Sequence, residues 1–260
     1  NYTIDVYLGQ RQAERHFGKF ALYIAFFPHL VAGPIVRSEH LLPQFSQRHY
    51  IDYDRITSGL RLMAWGFFKK VVIADRIAPI VNAVYNNPTN FSGTPLIVAT
   101  YLFAIQIYCD FSGYSDIAIG AARVMGYDLT INFRQPYFAR SVTEFWRRWH
   151  ISLSTWFRDY VYKPLGGNRV AKWRWYFNLF VVFLVSGLWH GANWTFVIWG
   201  ALHGAYVVLD VATSPMRSRL VQILRLEKVP ILLNAIQIFV TAHLVIFAWV
   251  FFRANSVTDA

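Results

Sequence analysis

The chain has 260 residues, 55% of them hydrophobic, 18% aromatic and only 15% charged. A soluble domain carries about 25% charged residues, so this composition excludes an ordinary water-soluble enzyme and points to a polytopic membrane protein. The formal charge of +11 is not a nucleic-acid signature, because the basic residues sit between apolar runs, where cytoplasmic loops meet anionic headgroups.

A lone cysteine, Cys109, excludes an internal disulfide framework and a cysteine-only metal site. No secretory signal is visible. The sequence opens at Asn1 without methionine and ends on the polar stretch 255–260. It is therefore expected to be a single membrane core over residues 1–260, truncated at both ends, with flanking helices missing.

Residues 1–19 are polar and mixed, an entry segment outside the membrane. The apolar stretch 20–36 is broken at Pro28-His29 and Gly33-Pro34. Proline removes a backbone donor, so a bent or re-entrant element is expected rather than a straight span. Residues 38–55 read as a polar loop on one membrane face. Residues 56–84 are helical by pattern, with Lys69-Lys70 in the middle. They predict a helix that reaches the surface near Lys69 and continues along the interface.

Residues 86–94 form a turn-rich loop. From Pro95 to Met125 the chain is apolar again, interrupted by Cys109-Asp110-Phe-Ser112-Gly-Tyr114-Ser115-Asp116. Two acids in one apolar helix must face the protein interior or the water interface. One reading pairs an acid with Arg123 or another arginine. The other places Asp110 in the reaction chamber.

Ser141 and Glu144 have capping-box spacing, so a helix is expected to start at Val142. Phe145, Trp149, Leu153, Trp156 and Tyr160 form its apolar stripe, with Arg147, Arg148 and Arg158 on a basic flank. Such a helix suits the membrane interface, and His150 falls on its apolar side. Pro164 and Gly166-Gly167 end it. Arg169, Lys172 and Arg174 follow and mark this side as cytoplasmic.

The run from Trp175 to Leu209 contains no Lys, Arg, Asp or Glu. One crossing needs about 20 residues, so the run is too long for a single straight span and short for two. A break near Gly187–Asn193 resolves the mismatch and places His190 inside. Unbroken helical spacing would instead put Ser186, Asn193 and Trp194 on one face with His190, at i−4, i+3 and i+4. Gly187 and Gly191 form a small-xxx-small pair that admits another helix backbone. An echo follows, since Gly187-Leu-Trp-His190-Gly191 and Gly200-Ala-Leu-His203-Gly204 share one spacing. In one continuous helix their histidines would stand roughly 220° apart. Residues 210–230 read as a basic loop. Residues 231–252 are a last span carrying His243, with Arg253 as its anchor.

Three stretches together resemble the membrane-bound O-acyltransferase family. They are Phe145-Trp-Arg-Arg-Trp-His150-Ile-Ser-Leu-Ser, Tyr108-Cys-Asp-Phe-Ser-Gly-Tyr-Ser-Asp116 and Gly187-Leu-Trp-His-Gly191. Tyr2-Thr-Ile-Asp-Val-Tyr7 and Pro28-His-Leu-Val-Ala-Gly-Pro-Ile35 extend the likeness. It is nearest to the bacterial polysaccharide-acetylating branch and next to the D-alanyl-transferring branch of teichoic acid synthesis. The resemblance implies an all-α funnel of transmembrane helices around a thin central floor, with a buried tunnel where acyl donor and acceptor meet. It places the essential histidine at His190 and a second motif histidine at His150.

The function expected is transfer of an acyl group, foremost acetyl, toward O-acetylation of an extracellular polysaccharide, in the bacterial inner membrane. Attack of a hydroxyl on an acyl thioester needs a proton acceptor, and neutral imidazole titrates in the right range. His190 is expected as general base and His150 as a residue that orients substrate or stabilises the oxyanion. Ser186, Asn193, Trp194, Trp149, His203 and Asp110 are candidates for lining the substrate tunnel. His29 is expected at a hinge and His243 in a core polar contact. No metal ligand set is spaced for zinc, and no tightly bound cofactor is expected, the donor being acetyl-coenzyme A or another acyl thioester. Expected partners are the bilayer, a cytoplasmic donor or carrier, and a periplasmic acetyl-transfer protein. The rival readings are a non-catalytic transporter or scaffold of an export complex, and a D-alanyl, lipid or protein O-acyltransferase.

Overall fold

A computed structural model describes residues 1–260, and it is helical throughout, without a strand. The chain divides into two compact units, residues 1–76 with 106–132 and residues 77–105 with 133–260. Three helices are long and apolar enough to cross a membrane, at Thr94–Met125, Trp194–Ala212 and Pro230–Arg253.

The first unit contains α1 (Tyr2–Tyr7), α2 (Phe17–Ala25), α3 (Ser38–Leu41), α4 (Tyr53–Phe67) and the C-terminal part of α6 (Thr94–Met125). The bend expected in residues 20–36 is present. α2 stops at Ala25, a short turn takes Phe27–His29, and no helix follows until Ser38. Residues 38–55 are not a simple surface loop. Leu41 and Leu42 enter the core with Tyr23, Phe26, Val36, Ile119, Ala122 and Leu129. Two leucines in a polar setting give no periodic signal, so their burial was invisible in the pattern.

α4 starts where the Asp52 carboxylate accepts from the Arg55 N–H at 2.6 Å, an N-cap that satisfies an otherwise orphaned donor. α4 and α6 approach so closely that only glycine fits at two levels. A Cβ on Gly66 would lie 2.6 Å from the Gly113 carbonyl oxygen, and one on Gly59 would lie 2.7 Å from that of Gly120. α4 then passes through a π-helical turn, Phe68–Ala74, into α5 (Asp75–Tyr85).

The chain was expected to reach the surface near Lys69; Lys70 is half-exposed, but Lys69 itself turns inward. Lys69 is buried, with Nζ 2.7 Å from Asp116 Oδ2 and 3.0 Å from Ser112 Oγ. The partner of the motif acid is thus a lysine. Arg123 instead donates to Ser58 Oγ at 2.9 Å. A buried ammonium is held only where a counter-charge and further acceptors replace water, and the Ser112–Asp116 turn of α6 supplies both.

The second unit contains α7 (Val142–Arg148), α8 (Ile151–Phe157), α9 (Lys172–His190), α10 (Trp194–Ala212), α11 (Ser214–Ile223) and α12 (Pro230–Arg253). Residues 210–230 are not a loop, since α10 runs through Asp210 to Ala212 and α11 follows at once. The Asp210 carboxylate accepts from Thr143 Oγ1 and Arg217 Nη2, both at 2.5 Å, which fixes the start of α7 and α11 to α10. At the other end of α12, Arg253 anchors the helix by donating to Asn82 Oδ1 at 2.7 Å and Asn86 Oδ1 at 3.2 Å. His243 is not a core contact. It is half-buried, 2.7 Å from the Tyr101 hydroxyl.

Candidate active site

The break expected in the uncharged run lies directly after His190. α9 ends at this residue, Gly191 is extended, and Asn193 opens α10 by accepting from the Thr195 N–H at 3.1 Å. Asparagine is among the strongest N-cap residues, so the same motif that carries the histidine also starts the next helix. Asn193 and Trp194 therefore do not share a helical face with His190. Asn193 caps α10, and Trp194 begins it at 73% exposure. Ser186 remains one turn before His190 on α9 and is buried.

α9 and α10 pack back to back through the two halves of the echo. A Cβ on Gly200 would lie 2.5 Å from the Phe183 carbonyl oxygen and 3.1 Å from Gly187 Cα. One on Gly204 would meet Phe180 at 3.0 Å. Gly187 meets Gly200 and Phe196 across this contact, so the small-residue pairing is Gly187 with Gly200, while Gly191 lies outside the helix against Phe196.

This register sets both echo histidines around one indole. The Trp199 ring is 5.1 Å from His190 and 5.0 Å from His203, edge-to-face with each. Phe252 closes on His190 at 5.2 Å and on Trp199 at 5.3 Å. Trp249 stacks on Trp199 at 5.9 Å and meets Trp149 at 5.1 Å. His203 is fully buried, and its Nδ1 accepts from Trp146 Nε1 at 3.2 Å.

The helix expected from Val142 does start there, with Ser141 Oγ accepting from the Glu144 N–H at 3.2 Å. The return half of the box goes elsewhere, because Glu144 accepts from the Arg140 N–H at 2.7 Å and pairs with Arg148 at 2.6 Å. Burial raises the Glu144 carboxyl, and those hydrogen bonds outweigh it and hold the carboxyl below its ordinary value. The helix does not continue to Tyr162. Trp149 is extended and His150 left-handed, at φ 43° and ψ 54°, before α8 begins. A second π-helical turn, Arg158–Tyr162, ends the segment.

The kink buries His150 and stacks Trp149 on Phe145 at 5.5 Å. Burial pushes the His150 imidazole down to about 3, and the nearby His190 pushes it in the same direction. His150 is thus a neutral ring at physiological pH. Asp110 belongs to the other compact unit, where it is half-exposed and paired with Lys70.

The structure therefore brings His190, His203 and Trp149 into one aromatic nest, with His150 near enough to His190 to feel it, and leaves Trp194 at the surface. Trp199, Trp146, Trp249 and Phe252 were missed in the sequence. The only signal was that Trp199 stands one helical turn before His203. Chemically, the nest offers imidazoles among buried aromatic rings, surroundings suited to proton transfer at a hydroxyl.

The chain is 43% identical over its whole length to the Azotobacter vinelandii protein named "Probable alginate O-acetylase AlgI", covering 50% of that protein. It is 41% identical over 94% of its length to the peptidoglycan O-acetyltransferase of Helicobacter pylori, covering 45% of it. A more distant likeness, 29% over 75% of the chain, is to the teichoic acid D-alanyltransferase of Streptococcus thermophilus, again covering 50%. The chain spans about half the length of the curated relatives it matches. The sequence profile of the membrane-bound O-acyltransferases matches residues 12–252, a range that takes in both histidine motifs, and the chain belongs to the membrane-bound O-acyltransferase family.

Proposed function

We propose that the chain is the core of a bacterial inner-membrane O-acyltransferase that moves acetyl groups toward an extracellular polysaccharide. The observation that carries the reading is the place of His190 at the end of α9, against Trp199 and Phe252, with the second motif histidine, His150, nearby at the α7–α8 kink. His190 is the general base. It takes the proton of the acceptor hydroxyl as the oxygen bonds to the acyl carbon, and it returns that proton to the departing thiolate. His150, buried and neutral, positions donor or acceptor beside it.

Acetyl is favoured over D-alanyl because identity is higher to the O-acetylases, 43% and 41%, than to the D-alanyltransferase, 29%. The donor is an acyl thioester, acetyl-coenzyme A or a carrier-bound form. Arg147, Arg148, Arg169, Lys172 and Arg174 give the cytoplasmic mouth a positive field that suits its phosphates. Residues 1–260 form one functional core within a helical funnel, and a periplasmic protein completes delivery to the polymer.

The test is acetyl transfer by the full chain in detergent, with each variant corrected for its folded fraction. His190→Ala loses general-base assistance, about a hundred- to ten-thousand-fold, and retains its fold. Folded His190→Ala with near wild-type transfer makes His190 a packing residue and removes the reading.

A further inference from the structure

One stripe of α10 carries three buried polar atoms without a protein partner, Thr195 Oγ1, Trp199 Nε1 and His203 Nε2. Their residues are 1%, 1% and 0% exposed, and they recur every fourth position, on one helical face. Thr195 stands at the start of α10, so the carbonyl four residues earlier lies outside the helix and offers no back-bond. Buried polar groups nearly always find partners, which makes three in one line a feature to explain.

The chemistry of the last two is fixed by residue type and by the hydrogen bond to the His203 ring. An indole nitrogen can only donate. Trp146 Nε1 donates to His203 Nδ1, so that nitrogen is the acceptor and the neutral ring carries its proton on Nε2. Trp199 Nε1 and His203 Nε2 are therefore both N–H donors, on rings that meet edge-to-face at 5.0 Å. Trp199 also touches the His190 ring at 5.1 Å. Two buried donors beside a base call for an acceptor oxygen that arrives with the substrate.

We propose that Trp199 Nε1–H and His203 Nε2–H bind the carbonyl oxygen of the acyl thioester and stabilise the negative charge it gains during transfer. The proposal rests on the acyl-transfer reading above and adds the electrophilic half of the site to its base. In the first step the acceptor hydroxyl oxygen bonds to the acyl carbon, its proton passes to His190, and the carbonyl π electrons move onto the oxygen held by the two N–H groups. In the second step those electrons re-form the carbonyl and the carbon–sulfur bond breaks. The thiolate then takes the proton from the His190 imidazolium, leaving an ester and a thiol. Buried donors of this kind act most strongly because water does not compete for them.

The test uses the full chain in detergent with acetyl-coenzyme A as donor, and Trp199→Phe, which keeps the ring and removes the N–H. Loss of one oxyanion donor typically lowers kcat about a hundred- to a thousand-fold. That loss is expected with KM little changed and a thermal midpoint equal to or above wild type. A second measurement needs no turnover. S-acetonyl-coenzyme A and S-propyl-coenzyme A differ by a carbonyl in place of a methylene, and wild type should bind the ketone more tightly. Trp199→Phe and His203→Leu should lose that preference, and His203→Gln, which can still donate, should keep part of it. An unchanged preference in both Trp199→Phe and His203→Leu, or wild-type kcat in folded Trp199→Phe, overturns the proposal and leaves the donors to water or packing. The ketone preference is read without the base, so active His190→Ala would remove the base reading and leave this result standing.

Discussion

Asp116→Asn is the perturbation whose magnitude follows most directly from the structure. Lys69 and Asp116 are 2.7 Å apart, with side chains 8% and 24% exposed. Replacing the carboxylate by an amide leaves the ammonium among Ser112 and apolar neighbours with no counter-charge. Breaking a buried pair from one side costs about 3–5 kcal/mol, and the partial exposure of Asp116 argues for the lower end. For a chain of this size about 1 kcal/mol lowers the midpoint by about 2–4 °C, so a fall of about 6–12 °C is expected. The neighbouring pair Lys70–Asp75, with side chains 40% and 48% exposed, is the internal control. An exposed pair contributes about 0–1 kcal/mol, so Asp75→Asn should shift the midpoint by no more than about 4 °C. The assay is thermal unfolding in detergent followed by tryptophan fluorescence, together with acetyl transfer per folded molecule. Lys69→Met combined with Asp116→Leu should recover most of the loss, because an apolar pair of similar volume needs no counter-charge. A normal midpoint with abolished transfer in Asp116→Asn would refute the structural account and move Asp116 into the chemistry.

Two further outcomes test the packing and the orientation. Gly200→Ala forces α9 and α10 apart against the Phe183 carbonyl. It should destabilise by about 1–3 kcal/mol and weaken transfer in the molecules that still fold, and an unchanged midpoint would show that the helices can part without loss. Asn168→Cys, at an exposed position between Arg169 and the Gly166-Gly167 turn, should react with a membrane-impermeant thiol reagent only after cells are opened. Labelling of intact cells would reverse the assigned orientation, and buried Cys109 serves as the silent background.

What could be read from the sequence was what apolar length and local capping encode. The spans ending at Met125 and Arg253 follow from long apolar runs, the first of them despite the two acids inside it. The break after His190 follows from a run too long for one crossing, with an asparagine poised to cap what comes next. What could not be read depended on partners distant in sequence or on single backbone angles. Lys69 looks like a surface residue until Asp116, in another helix, is brought against it. The Phe145–Trp149–Leu153 stripe reads as one helix across His150, because the stripe persists whether or not the backbone kinks. α11 begins at Ser214-Pro215, a helix-start pattern, but the basic residues around it masked the signal. The nest around Trp199 was hidden because its members lie on four helices and a kink, each apolar for reasons of its own.

The left-handed backbone at His150 narrows what that position can become. Such angles are strained for most side chains, and only glycine and, among the others, asparagine, aspartate and histidine visit them with any ease. An alanine placed there would report a backbone penalty of about 1–2 kcal/mol mixed with the loss of the imidazole, and the two could not be told apart from activity alone. Asparagine, which tolerates the angle and keeps a short polar head, separates them. The same restriction acts on sequence drift. Few single substitutions can pass through this site without disturbing the join of α7 to α8, so backbone geometry would keep the position among histidine, asparagine, aspartate and glycine even in a relative whose chemistry had changed.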